Sequence, residues 1–266
     1  MRSGPTPPLM SMPLTRRSLQ LRDRWRLAAI LRERGYSRCY VLPNNFKSAL
    51  APWLAGIPER IGHRGEARHG LINRMHRGGK SKDQLMVQFY GQLAWEPGAP
   101  LPEKMPDPVL KTDPAIQAEV AAGLLAPVAN GFVVFCPGAE YGPAKRWPTR
   151  HFAALARLIH DRWPHLGIVC LGGPGDRSLG TEIRALSALP VLNLAGETTL
   201  DQAMAILSLA GGVVSNDSGL MHVTAALRRP LVAVFGSSDP RHTPPLAPDA
   251  AVQWLHLECS PCFART

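Results

Sequence analysis

The chain has 266 residues, of which 45% are hydrophobic, with 26 Pro and 24 Gly, which excludes a disordered or fibrous protein and leaves room for one and a half to two compact domains. The net charge of +10 is unevenly placed: residues 1–82 carry 17 Lys/Arg against 4 Asp/Glu, and residues 83–266 carry 13 against 16. A first third this basic is either a solvated Arg-rich face or a surface that meets an anion, whether nucleic acid, an acidic membrane or a phosphorylated substrate.

In chain order, residues 1–13 read as unstructured. Arg16 to Arg34 reads as a helix, with Leu19, Leu27, Ile30 and Leu31 forming an apolar stripe. Arg38–Leu42 reads as a short strand stopped by Pro43, and Asn44-Asn45 opens a helix through Leu50 and Leu54. The basic, Gly-punctuated segment Arg60–Arg77 reads as a loop with one short helix, and Lys82–Trp95 as a helix. Six prolines follow, Pro97, Pro100, Pro102, Pro106, Pro108 and Pro114, and predict a linker between domains 1–112 and 113–266.

A regular alternation comes next. Strands are expected at Phe132–Cys136, Ile168–Leu171, Val191–Leu194, Gly212–Ser215 and Leu231–Phe235. Helices are expected at Thr149–Trp163, Asp176–Leu186, Leu200–Leu209 and Ser218–Leu227. Short apolar runs without polar alternation, separated by helices, predict a doubly wound parallel sheet covered on both faces.

Ligands of such sheets bind at the carboxyl ends of the strands, so the loops there carry the chemistry. Asp217, Ser218 and Gly219 open a helix directly after a strand, where free N–H groups and the helix dipole favour an anion. His222 lies one turn on. Taken alone, Asp217 reads more readily as a simple N-cap and His222 as a surface residue. Lys145, with Arg146 beside it, stands in a long loop at the same edge and is able to reach a diphosphate as a mobile point charge. Asp176 and Glu197 are candidates to accept from ribose hydroxyls, or helix N-terminal acids. No dinucleotide fingerprint and no Walker phosphate loop is present.

The five cysteines, Cys39, Cys136, Cys170, Cys259 and Cys262, make no disulfide framework and suit a reducing cytoplasm. Cys259 and Cys262, with Pro261 between them, read as a structural element or an incomplete metal site rather than a redox centre. The proline-broken first fifteen residues lack the apolar region of a secretory signal, and no apolar stretch is long enough to span a bilayer, so membrane contact is expected to be peripheral.

The segments Cys136–Pro148, Ser215–His222 and Val234–Pro240 resemble the ADP-heptose–dependent lipopolysaccharide heptosyltransferases. So do Leu42–Leu50, Arg64–Arg68 and Cys259–Phe263, and the likeness covers roughly residues 12–263 in order. The resemblance implies a GT-B glycosyltransferase, α/β, of two Rossmann-like domains, the N-terminal one incomplete and the C-terminal one a doubly wound parallel sheet. It implies that the C-terminal half binds ADP-heptose and that heptose passes, with inversion, to the inner-core heptose on lipid A. No metal or cofactor beyond that substrate is expected, and no nucleic acid. Lys145 is then expected at the donor diphosphate, with Asp217, Ser218, Gly219, Leu220 and His222 cradling the phosphates and Asp176 at the ribose. Asn44, Lys47, Arg64 and Arg68 fall on acceptor-half motifs.

Relatives begin with a strand and a Gly-rich turn carrying an Asp that serves as general base. Nothing before Arg16 resembles it, and Ala264–Thr266 reads as a truncated end. The alternative expectation is therefore a catalytically incomplete nucleotide-binding fragment. The expected location is the cytoplasm, peripherally at the inner-membrane face. The third possibility, a basic nucleic-acid binder, lacks interleaved aromatic and basic residues or a reader motif.

Overall fold

The computed structural model describes residues 19–77, 84–103, 105–140 and 142–264. The expectations for residues 1–13, for the helix start at Arg16, for Lys82, for Tyr141 in the Cys136–Pro148 motif and for the terminal Arg265-Thr266 lie outside the described residues. The chain divides into two compact units, Met1–Met105 and Pro106–Thr266.

The first unit runs α1 (Leu21–Glu33), β1 (Arg38–Val41), α2 (Phe46–Leu54), β2 (Glu59–His63), β3 (Arg74–His76) and α3 (Met86–Gly91), followed by a short turn of 3-10 helix at Gln92–Ala94. Its three strands pair in parallel in the order β1-β2-β3. Asn45 starts α2 by accepting from Ser48 N at 2.9 Å, the side-chain cap that the Asn-Asn loop predicts. Arg60–Arg77 is not a loop with a short helix: its ends are β2 and β3. The strands escape an apolar-run reading because Gly62 and His63 share the buried positions of β2 with Ile61, and His76 fills that of β3. A Cβ on Gly62 would stand 3.2 Å from Val41 O, so the strand packs where only a hydrogen fits comfortably.

The second unit contains α4 (Pro114–Ala122), β4 (Phe132–Cys136), α5 (Thr149–Arg162), β5 (Gly167–Cys170), α6 (Arg177–Ser187), β6 (Leu192–Asn193), α7 (Leu200–Leu209), β7 (Gly212–Asn216), α8 (Gly219–Ala226), β8 (Leu231–Phe235) and β9 (Ala250–Trp254). All six strands are parallel, in the order β6-β5-β4-β7-β8-β9. The five expected strands are present. Two elements are additional. The last of the six prolines is no linker residue but the first residue of α4, whose cap is Asp113 accepting from Ala115 N at 2.8 Å. β9 is an edge strand, and all five of its residues are exposed or half-buried.

Successive residues of β4 feed opposite cores. Val134 and Cys136 pack with α7 and α8 residues such as Ile206, Leu207 and Met221, while Phe135 packs with Phe152, Ile159 and Ile183 of α5 and α6. Both faces are covered, which is why the strands read as unbroken apolar runs. Each of these fully buried side chains contributes about 1.5–3 kcal/mol. Among the described residues, no helix is long and apolar enough to cross a membrane.

Candidate functional site

Chain order reverses between β4 and β7. From β4 the chain moves outward to β5 and β6, then returns to lay β7, β8 and β9 on the other side. In open parallel sheets ligands bind at such a switch point, here at the carboxyl ends of β4 and β7. The two loops flanking it are those of Lys145 and Asp217.

They meet directly. Lys145 Nζ donates to Asp217 Oδ2 at 2.5 Å, and both side chains are largely buried, 18% and 7% exposed. Ser238 Oγ, from the loop after β8, donates to the same oxygen at 2.6 Å. Asn216 fixes the geometry from behind: its Nδ2 donates to Pro137 O at 2.7 Å, and its Oδ1 accepts from Trp147 N at 2.9 Å. The long loop that carries Lys145 is thus lashed at both ends to the tip of β7.

Asp217 is therefore not the N-cap of α8. The cap position is Ser218, in extended conformation, with no side chain capping the first turn; its hydroxyl lies 3.2 Å from Ser215 Oγ. The amino end of α8 keeps its N–H groups and dipole available to an anion. A Cβ on Gly219 would meet nothing within 4 Å, so backbone and open space adjoin there. Leu220 turns the other way and packs on the core. His222 is exposed. Desolvation by surrounding protein holds its imidazole below the ordinary value, and Lys145 pushes the same way while Asp217 opposes them. The ring therefore lies within electrostatic reach of the pair. A carboxylate beside an anion site is tolerable here because two donors already compensate it.

Asp176 sits at the same edge. Its Oδ2 accepts from Gly173 N at 3.0 Å, and its Oδ1 lies 3.8 Å from Arg146 Nη2. The carboxylate is wedged against Gly138 and Gly172, where an added Cβ would come within 2.3 and 2.7 Å of it. Those two glycines are what allow an acid between the ends of β4 and β5. Glu197 is paired with Arg177 on the surface.

The acceptor-half candidates divide. Arg68 is fully buried, and its guanidinium donates to Pro43 O at 2.6 Å, to Asn44 Oδ1 at 3.2 Å and to His63 O. It builds the loops after β1 and β2 and presents no surface to a ligand, which corrects its reading as an acceptor-binding residue. Asn44 is brought to it, and is exposed. Lys47 is half-buried on α2, and Arg64 is exposed.

Ser238 and Asn216 were visible in the sequence as strand-end residues but had no assigned part. The signal for Ser238 was the run of small polar residues Ser237-Ser238-Asp239 after an apolar strand. All three are buried, and Asp239 is held below the usual carboxylate range by its hydrogen bonds to Arg241, against the effect of burial. Cys259 and Cys262 are exposed, while burial pushes the Cys170 thiol up to about 12 and Cys136 higher still. Among the described residues, no group of three or more His, Cys, Asp or Glu is placed to hold a metal ion.

Comparison with known proteins gives the family. The family model for glycosyltransferase family 9 (heptosyltransferase) matches residues 24–266. The lipopolysaccharide heptosyltransferase 2 of Escherichia coli K12 is 44% identical over 91% of this chain and 71% of its own length. The lipooligosaccharide heptosyltransferase 2 of Haemophilus influenzae is 40% identical over 91% and 72%. Among solved structures, that of E. coli ADP-heptose LPS heptosyltransferase II superposes with a TM-score of 0.81 at 43% identity, covering 88% of this chain and 73% of that one. E. coli heptosyltransferase WaaC with ADP gives a TM-score of 0.64 at 25% identity, over 87% and 70%. The chain belongs to glycosyltransferase family 9, the heptosyltransferases.

Proposed function

We propose that this protein transfers heptose from ADP-heptose to the inner-core heptose of lipopolysaccharide, with inversion and without a metal. The observation that carries the reading is the Lys145 ammonium, held 2.5 Å from Asp217 at the uncapped amino end of α8 and at the switch point of the sheet. The names of its relatives, heptosyltransferases acting on lipopolysaccharide or carrying ADP-heptose, support the same substrates.

In this mechanism an acceptor hydroxyl attacks the anomeric carbon and gives up its proton to solvent, the carbon–oxygen bond to the β-phosphate breaks, and ADP leaves with the bonding pair. Charge grows on the diphosphate as it departs. Lys145 and the N–H groups opened by Ser218 and Gly219 meet that charge, and being fixed beforehand they cost little reorganisation at the moment of reaction. His222 adds a donor from the same helix. Asp176 takes the ribose hydroxyls. No cofactor is required.

The basic first unit docks on the phosphate-bearing lipid A core at the cytoplasmic face of the inner membrane. Exposed Arg64, Arg22 and Arg26 serve that role better than Arg24, which is buried and ties α1 to Lys47 O at 2.7 Å. The test is incubation of the purified chain with ADP-heptose and a heptosylated lipid A acceptor, with product followed by mass spectrometry. A product one heptose heavier and stoichiometric release of ADP are expected. Binding of ADP-heptose with no transfer would overturn the transferase reading.

A further inference from the structure

α1 has two unlike faces. Inward, Arg24 and Ala28 are buried, with Leu27 and Leu31 half-buried beside them. Arg24 fastens the helix on this side, its guanidinium donating to Leu19 O at 2.8 Å and to Lys47 O at 2.7 Å, and Ala28 packs with Ala55 and Ile57. Outward, Leu21, Arg22, Trp25, Arg26 and Ala29 follow one another at helical spacing, and all five are exposed.

The outward stripe mixes large apolar groups with cations. Leu21 is 52% exposed and Trp25 58%, the most exposed Phe, Tyr or Trp among the described residues. The two stand one turn apart, so their side chains adjoin, and Arg22 and Arg26 run beside them at the same spacing. The nearby acids do not cancel this charge: half-buried Asp23 lies 3.8 Å from Arg26, and Glu33, at the far end, stands between exposed Arg32 and Arg34.

An indole and an aliphatic group flanked by long cations match the boundary between an anionic headgroup layer and acyl chains. There the apolar groups enter below the headgroups while the guanidiniums stay at the lipid phosphates. A nucleic acid would engage the arginines and stack a base on Trp25, but would leave Leu21 in water. With 13 residues α1 is about 20 Å long, too short to cross a bilayer, so the geometry it can adopt is one lying in the membrane plane.

We propose that α1 is an interfacial helix, with Leu21 and Trp25 inserted into an anionic bilayer and Arg22 and Arg26 at its phosphates. The inference rests on the membrane docking proposed above and deepens it: charge brings the first unit to the surface, and α1 adds an apolar contact that charge alone does not supply.

The experiment follows partition of the full chain into vesicles of phosphatidylcholine and phosphatidylglycerol in equal parts, by co-sedimentation and by tryptophan emission. Binding is expected with a blue shift, and with quenching by lipids brominated on the acyl chain. Trp25→Ala and Leu21→Ser each weaken partition about tenfold, since each removes apolar surface taken out of water. Trp163→Phe, which removes the comparably exposed indole of the second unit, leaves partition unchanged. Vesicles of phosphatidylcholine alone bind about tenfold more weakly or worse, because the arginines lose their partners. Binding to the anionic vesicles that neither Trp25→Ala nor Leu21→Ser alters overturns the interfacial helix and leaves electrostatic docking standing. No binding to the anionic vesicles overturns both, as does duplex DNA binding that Trp25→Ala weakens while vesicle binding is unmoved. The assay uses neither nucleotide nor acceptor, so its failure leaves the transferase reading intact.

Discussion

The two units bury polar groups for opposite reasons. In the second, the interior is largely aliphatic and aromatic; Ser187 and Thr224 bond to carbonyls of their own helices, and the other buried polar side chains, Ser215, Asn216, Asp217, Ser237, Ser238 and Asp239, gather at one edge of the sheet, where strands end. In the first, Arg24, His63, Arg68 and His76 lie within the packing itself. Arg24 and Arg68 donate to backbone carbonyls of neighbouring loops, and His63 Nε2 donates to Phe89 O at 2.7 Å. The lesson is that the strong positive charge of the first third is partly structural mortar. Its excess over the second unit overstates the surface available to an anion.

The contrast is open to four tests, taken here from the largest expected effect downward. Phe152 is completely buried beneath the second sheet, so Phe152→Ala lowers the stability of that unit by about 4 kcal/mol, read by urea unfolding. Lys145→Ala lowers the unfolding midpoint modestly, because Ser238 alone then compensates the buried Asp217 carboxylate, but lowers kcat/KM for transfer about a hundredfold or more, because its loss removes stabilisation of the departing diphosphate. An equal loss in both measurements would make Lys145 structural.

Arg68→Met has the converse signature. It strands the carbonyls of Pro43 and His63 and destabilises the first unit by about 2–3 kcal/mol, with ADP affinity retained. Full stability and a loss confined to acceptor KM would restore Arg68 as an acceptor residue.

The smallest effect is in pH. Desolvation holds the imidazoles of His63 and His76 below their ordinary value, opposed by the backbone of Phe89 for the first and of Trp95 for the second. Arg68 and His76 press the His63 ring further down, while Glu96 opposes the fall for His76. As pH falls through the ordinary imidazole value of about 6.5, the unfolded chain takes up protons first, so the first unit loses stability from there down to the folded-state values. Unfolding curves at pH 7.5 and 5.5 should differ for the first unit, and less so in His63→Gln. A difference that His63→Gln leaves unchanged would assign the effect elsewhere.

What the sequence disclosed follows the same division. The second unit was legible because strands covered on both faces must be apolar throughout, and because Gly219 follows a strand where a helix opens. Lys145 and Asp217 were recognisable singly as groups at the strand ends. That they pair, and that Ser238 joins them, depends on β7 lying between β4 and β8, an order no local pattern encodes. β2 and β3 were illegible for a physical reason: histidine and glycine occupy positions where a strand normally shows aliphatic residues, and such residues read as loop. Arg68 misled for a related one, since a long cation is usually exposed.

The central claim is that a diphosphate rests on the amino end of α8 under the Lys145 ammonium. A crystal structure of the protein with ADP tests it most directly. The account predicts β-phosphate oxygens within hydrogen-bond distance of Lys145 Nζ and of the N–H groups of Gly219 or Leu220. ADP found away from these groups, with the Lys145–Asp217 pair and the mouth of α8 untouched by phosphate, would contradict it.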